Sequence, residues 1–251
     1  MENYFAKPWQ KYPVTHPGTW GIETESGGVF NPWFEMAAGL IAAKAKNATI
    51  CCGIDNFFYL TILVPAIFIA SGRTEYLPSH FIYNEFLCLD GEKFSTSRQH
   101  ALWVDETLAE YSPDFVRFYL CYKRPETFEE SMSLTELEHF IQQFIQHTLA
   151  PWLAGIKPPQ SSGDACCWAE KDFAQRLAQY QSQLSQHYTI QGFSPRQIAA
   201  ELMALVCDAK RFQQYQAHSP LNYRAAKLFI DYATPIMPAY CQKLSGVLHH
   251  E

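Results

Sequence analysis

Lys93, Ser95, Thr96 and Ser97 gather an ammonium and three hydroxyls within five residues. Such a set meets phosphate oxygens without a competing carboxylate. The stretch follows Asp90-Gly91, a dipeptide that tolerates the positive φ angles of a tight turn, and the apolar run Phe86-Leu87-Cys88-Leu89 before it predicts a strand that ends there. A second carboxylate-bearing point is Asp55, just past a short apolar run, Ala48 to Cys52, that ends at Gly53. A carboxylate in that place is either a ligand group or the first residue of a helical turn. Trp33 is likewise either a pocket wall or a core residue.

The elements that must position these groups come in two styles. Met1 to Gly28 is rich in Pro, Gly, Thr and Trp, which predicts loop with one short strand at Gly18 to Glu23. Met36 to Ala45 predicts a helix, Ala48 to Cys52 a buried strand, Phe57 to Ser71 a helix and Phe81 to Leu89 a strand. Strand, helix, strand is a βαβ crossover, hence a parallel sheet with ligands at the carboxyl ends of its strands. From Val104 the pattern turns helical: Val104 to Tyr111, Pro113 to Tyr122 behind Ser112 as cap, a helix opened by Ser133, then Cys167 to Tyr188, Ser194 to Gln216 and Pro220 to Val247. Leu137, Phe140, Ile141, Phe144 and Ile145 recur at the spacing of one buried face. Asp114 and Arg117, at i and i+3, read most simply as a helix-surface ion pair. The expected fold class is α/β followed by all-α, a partial parallel sheet and then an antiparallel helical bundle, with domains at 1–103 and 104–251.

The order of these segments carries a resemblance. Lys93 to Ser97 resembles the KMSKS loop of class I aminoacyl-tRNA synthetases, and its flanks resemble those of methionyl-tRNA synthetases. Val14 to Ile22 is similar to the segment that returns from the family's inserted domain, Val29 to Glu35 to the strand and loop that carry a pocket tryptophan, and Cys52-Gly53-Ile54-Asp55-Asn56 to its G-K-D motif. Glu110 to Leu120, with Tyr111-Ser112-Pro113-Asp114 and Arg117, is close to the signature that follows KMSKS, and Ala233 to Pro238 is similar to the A-P-x-M-P of the last bundle helix.

The resemblance implies a partial Rossmann-like catalytic domain, the second half of one, followed by a bundle like the anticodon-binding domain. It implies amino-acid activation with ATP or an adenylate as the nucleotide. By motif matching, Asp55 holds a substrate ammonium, Trp33 walls the pocket beside Gly53, Leu60 and Val64, and Lys93, Ser95 and Ser97 meet a phosphate. The departures are large. No H-x-G-H occurs, so the HIGH-bearing half has no counterpart, and the resemblance is to a truncated, divergent paralogue. Ala37, Leu40, Leu60 and Val64 stand where methionine enzymes carry proline, tyrosine, histidine and tryptophan. His16, Ile54 and Thr96 replace an arginine and two lysines. Ala150 to Gly155 retains none of the anticodon-reading asparagines or the arginine, so tRNA is a partner by resemblance without those contacts. Half of a doubly wound sheet bares a strand edge, which predicts a second copy or a separate polypeptide docked there. A non-catalytic binding or assembly protein derived from a synthetase is the alternative.

Composition adds limits. The chain has 251 residues, 48% hydrophobic and 15% aromatic, with 25 acidic against 19 basic residues and a net charge of −6, so nucleic acid has no global electrostatic attraction to it. Eight cysteines include no C-x-x-C, so neither a metal cluster nor a disulfide framework is expected. The run Phe57 to Ala70, interrupted by Pro65, is too short for a bilayer, which needs about 20 residues. With no signal peptide read at Met1, a cytoplasmic chain with reduced thiols is expected. His139 and His147 are expected at the surface, and His249-His250 as a mere tail.

Overall fold

The computed structural model describes residues 11–25, 27–158 and 167–248. The His249-His250 tail and most of the loop expected from Lys157 to Asp164 lie outside them. The chain divides into two compact units, Met1–Asn84 and Glu85–Glu251. That division falls earlier than the 103/104 boundary expected where the helices begin, because residues 85–103 build a small sheet with a strand of the second unit.

In the first unit, β1 (Thr15–His16) pairs antiparallel with β2 (Val29–Phe30). The strand expected at Gly18 to Glu23 does not form. Gly21 sits at φ +135°, a left-side conformation no strand uses, and only Glu23 makes an isolated bridge, to Val29. Helix α1 (Pro32–Ala42) starts earlier than the expected Met36, because Asn31 accepts the Trp33 backbone N–H at 3.2 Å and Pro32 occupies N1. Trp33 therefore rides on the first turn of a helix.

Strand β3 (Thr49–Gly53) runs into a helical stretch of three conformations. A 3₁₀ turn (Ile54–Asn56) leads to a π turn (Tyr59–Leu63) and then α2 (Val64–Ala70). Pro65 explains the π turn: proline has no N–H to donate, and the widened turn, in which the Val64 N–H reaches the Tyr59 carbonyl, lets the helix continue past it. Strand β4 (His80–Asn84) lies parallel to β3, from Thr49 opposite His80 to Gly53 opposite Asn84. The βαβ crossover is therefore present, and among the described residues its sheet has these two strands. Ile50 and Cys52 pack with α1 and α2 on a core of Ala37, Leu60, Val64, Phe68 and Tyr76.

The second unit opens with β5 (Leu87–Leu89), the Asp90-Gly91 turn at φ 50° and 81°, and β6 (Glu92–Lys93). The single strand expected over Phe81 to Leu89 is thus two strands. After Asn84 the Glu85 N–H turns to the Pro125 carbonyl at 2.8 Å, and β5 pairs with β7 (Glu130–Met132), parallel, instead of continuing the β4 ladder. Sequence periodicity missed β7, whose three residues carry no alternation to read.

Helices α3 (Val104–Glu110) and α4 (Pro113–Tyr122) fall where expected. Ser112 holds the N-cap position without a side-chain bond; its carbonyl starts the helix instead. Ser133 does cap α5 (Leu134–Phe140), its hydroxyl accepting the Glu136 N–H at 3.0 Å. Ser133→Ala is expected to cost about 1 kcal/mol of stability in urea unfolding. The helix runs on through a π segment (Ile141–Leu149) into α6 (Ala150–Ala154), and Leu137, Phe140, Ile141, Phe144 and Ile145 are all buried, one face as the spacing predicts. His139 and His147 lie exposed on the other.

Helices α7 (Trp168–His187), α8 (Pro195–Tyr215) and α9 (Pro220–Ala233) pack successively, with α8 also against α4. The long helix expected over Pro220 to Val247 breaks at Pro235 and resumes as α10 (Pro238–Leu248). Asp114 and Arg117 hold this break and are not the surface pair expected of them. The buried Asp114 carboxylate accepts the Tyr240 N–H at 2.6 Å, capping α10 from another helix, and Arg117 donates to the Pro235 carbonyl at 3.0 Å. Among the described residues no helix is long and apolar enough to cross a membrane.

Candidate functional site

The residues singled out from sequence fall in two regions, one in each unit. In the first unit, Asp55 is exposed in the first turn after β3, at the carboxyl end of a parallel strand, where a crossover sheet leaves room for a ligand. Its carboxylate folds back over Gly53: a Cβ at Gly53 would come within 2.6 Å of Asp55 Oδ1. Gly53 is needed for that close approach; its own φ of −76° suits any residue. Next to them, burial first and then Cys51 and Asp55 push the Cys52 thiol up, so it stays a thiol at neutral pH and is no nucleophile.

Trp33 is half-buried, and Tyr59 stacks on it at 4.3 Å between centroids with only 3° between planes. Tyr12 meets Tyr59 edge-on at 5.9 Å. Sequence reasoning missed Tyr59; the signal was the run Phe57-Phe58-Tyr59 on the helix that follows Asp55. Leu60 and Val64 sit in the apolar core, Val64 at 0% exposure. Ala37 is buried in the same cluster and Leu40 packs against it. Ala37, Leu40, Leu60 and Val64 thus share one apolar cluster.

In the second unit, the Lys93–Ser97 stretch leaves the Asp90-Gly91 hairpin and is closed by paired backbone bonds between Ser95 and His100, at 2.8 and 2.9 Å. Two anchors that sequence reasoning did not pick hold this loop. A ring nitrogen of His100 lies 2.8 Å from the Leu89 carbonyl, and the Ser131 hydroxyl accepts the Gly91 N–H at 2.8 Å. The Ser95 and Ser97 hydroxyls stand 3.3 Å apart, sharing one hydrogen bond, and the exposed Lys93 ammonium rests 3.7 Å above the Phe86 ring. A cation on an exposed aromatic face is held by about 0.5–1 kcal/mol. An incoming phosphate displaces it easily. Arg98 pairs with Glu92 at 3.6 Å, so the carboxylate of the residue before Lys93 is already occupied. Among the described residues no three His, Cys, Asp or Glu side chains converge as a metal site would need.

Residues 40–152 match the family described as tRNA synthetases class I (M). The methionine–tRNA ligase of Korarchaeum cryptofilum is 38% identical over 160 residues, 54% of this chain and 29% of that protein. That of Pyrobaculum islandicum is 25% identical over 208 residues, 70% of this chain and 36% of its own. Over these stretches the chain is similar to class I methionyl-tRNA synthetases. Its fold agrees: 97% of it superposes on 55% of Mycobacterium tuberculosis methionyl-tRNA synthetase, solved in complex with methionyl-adenylate, at a TM-score of 0.79 and 14% identity. This synthetase-like chain spans about a third of the length of the curated relatives it matches.

Proposed function

We propose that the chain is a divergent methionyl-tRNA synthetase-like protein that binds or activates an amino acid as its adenylate, in the cytoplasm, with a second copy or a separate polypeptide completing the site. In this reading the first unit and the β5–β7 region derive from the second half of a Rossmann-type catalytic domain, and α7 to α10 from the anticodon-binding bundle. Asp55 accepts the substrate's α-ammonium, Trp33 and Tyr59 form the wall beside it, and Lys93, Ser95 and Ser97 bind the nucleotide phosphates. Activation joins a carboxylate oxygen to the α-phosphorus of ATP and breaks its bond to the bridging oxygen, releasing pyrophosphate. The protein's part is to align those groups and to neutralise the growing charge.

The observation that carries this reading is the loop at Lys93: a rigid, doubly anchored hairpin that presents two adjacent hydroxyls and a loosely held ammonium. Completion from outside is supported by the β3–β4 sheet, which among the described residues has two strands and so offers strand edges for pairing. The deciding experiment is amino-acid-dependent pyrophosphate exchange, run with the chain alone and with any polypeptide that co-purifies with it, beside light scattering on the pure chain. Exchange in either sample carries the proposal, and a well-behaved monomer without exchange sinks it. Gly53→Ala should leave the fold intact, since an exposed carboxylate end can swing aside, yet raise the KM for the amino acid about tenfold by turning Asp55 away.

One feature favours a second reading, a binding or assembly protein without catalysis. Ala37, Leu40, Leu60 and Val64, which by the resemblance stand where methionine enzymes carry pocket groups, pack into one apolar cluster, and by the same matching His16, Ile54 and Thr96 stand in place of three cations. Absence of both exchange and an ATP-dependent thermal shift selects this reading.

A further inference from the structure

A groove of about 640 Å3 opens on the second unit, away from the Lys93 loop in the chain, between the end of α4 and the first turns of α5. Its volume suits a small organic ligand. Phe140 and Phe144 form the floor, with Tyr119 beside them. Tyr122 stands as a side wall, 38% exposed and backed by Phe140 at 6.1 Å with 18° between the rings. A flat ring laid against Tyr122 would extend an aromatic stack that is already in place.

The polar end of the groove is Glu136. Its Oε2 accepts the Tyr119 hydroxyl at 3.2 Å and lies 3.6 Å from the Lys123 ammonium. Burial, and then the carboxylate itself, push the Tyr119 phenol upward, so it remains a donor. Both contacts hold the same oxygen, and among the described residues Oε1 has no partner although the side chain is 56% exposed. The carboxylate is thus oriented and half used. Charge narrows the ligand further. Lys123 is shared between Glu136 and Glu130, at 3.6 and 3.7 Å, and an anion would meet Glu136. Among uncharged ligands the groove therefore suits a planar ring with two adjacent N–H donors for an acceptor that has none to give.

Among nucleobases that description fits guanine alone. Its N1–H and 2-amino group lie side by side, whereas adenine and cytosine set a ring acceptor next to their amino groups and uracil flanks one N–H with two carbonyls. We propose that the groove between α4 and α5 binds a guanine base, stacked on Tyr122 with its N1–H and 2-amino donors on Glu136. Unpaired bases are recognised by this combination of aromatic stacking and edge hydrogen bonding. The base comes from a free nucleoside or from an unpaired position in RNA.

Calorimetric titration of the full chain with guanosine, adenosine, cytidine and uridine tests the assignment without any variant. Guanosine is expected to saturate and to bind about tenfold more tightly than the other three. Glu136→Gln should abolish that preference, and Tyr122→Ala should weaken all four nucleosides alike. Thermal melts confirm that each variant is folded. A short single-stranded RNA with one guanine in an adenine and uracil run, compared with the same strand lacking it, identifies the source: guanine-dependent binding tighter than that of guanosine assigns RNA, and binding no tighter assigns the free nucleoside. No saturation by guanosine at millimolar concentration, equal affinities for the four nucleosides, or an unchanged preference in folded Glu136→Gln overturns the proposal.

Discussion

Trp152→Ala is expected to lower the unfolding free energy of the second unit by about 3–5 kcal/mol, the range for emptying a buried large aromatic site. The melting temperature should drop by roughly 10 °C. Trp152 is 0% exposed, meets Phe229 edge-on at 6.1 Å, and offers its carbonyl to the Gln213 side chain at 3.1 Å. Its indole N–H is buried without a hydrogen-bond partner. Trp152→Phe should therefore cost far less than Trp152→Ala, since it removes a group whose unmet burial costs about 1–3 kcal/mol while keeping most of the ring. Chemical denaturation of the two variants beside the parent chain reads the difference. The outcome bears on function, because the resemblance places anticodon reading at Ala150 to Gly155, and a residue that serves as the plug between α6 and α9 is not free to meet RNA. Equal, small losses in both variants would mean that this stretch is peripheral and open to a ligand after all.

The same stretch illustrates what could be read before the structure. Regular spacing was legible: Leu137, Phe140, Ile141, Phe144 and Ile145 land on one buried face, and Ser133 caps the helix that follows it. The Asp90-Gly91 turn was legible from backbone chemistry alone, and both residues adopt positive φ. Features that depend on a distant partner were not. Nothing local to Glu130-Ser131-Met132 announces a strand; it forms because β5 offers its edge. The apolar pattern from Pro220 to Val247 reads as one helix; Pro235 breaks it locally, and Asp114 and Arg117, more than a hundred positions away in sequence, hold the geometry of the break. A pair at i and i+3 looks like a surface ion pair until the third party is seen.

Site residues divide in the same way. Lys93, Ser95 and Ser97 were singled out by type and spacing, and the Ser95 and Ser97 hydroxyls lie together on one loop. The groups that hold the loop, His100 and Ser131, act through ring and hydroxyl contacts to backbone and leave no pattern in the sequence. Gly53 and Asp55 were found through motif likeness, and their dependence on each other is steric, a 2.6 Å approach that no residue type reveals. Tyr59 escaped because an aromatic residue on an apolar helix resembles any other core residue until its ring is seen against Trp33.

Asp55→Ala and Lys93→Ala are expected to damage the proposed activation in different ways, and by the largest factors of any change considered. Loss of Lys93 removes a charge that acts on the phosphates as pyrophosphate departs, so kcat for exchange should fall about 100- to 1000-fold, as when an electrostatic donor is deleted from a transition state. Its effect on amino-acid KM should be small, because the ammonium of the substrate is bound elsewhere. Loss of Asp55 should raise that KM by about tenfold to a hundredfold with a smaller change in kcat, as expected for a contact made equally in the ground and transition states. The two residues belong to different compact units, which makes the double variant informative. If both units work on one substrate molecule, Asp55→Ala on a Lys93→Ala background still raises KM, because each deletion acts at its own end of the same complex. If amino acid and nucleotide bind separately without meeting, each single variant weakens one ligand's thermal shift and leaves the other's untouched, and exchange is absent throughout. Exchange that survives both substitutions at parental rates would remove Asp55 and Lys93 from the chemistry altogether and leave the hairpin at Lys93 a structural turn.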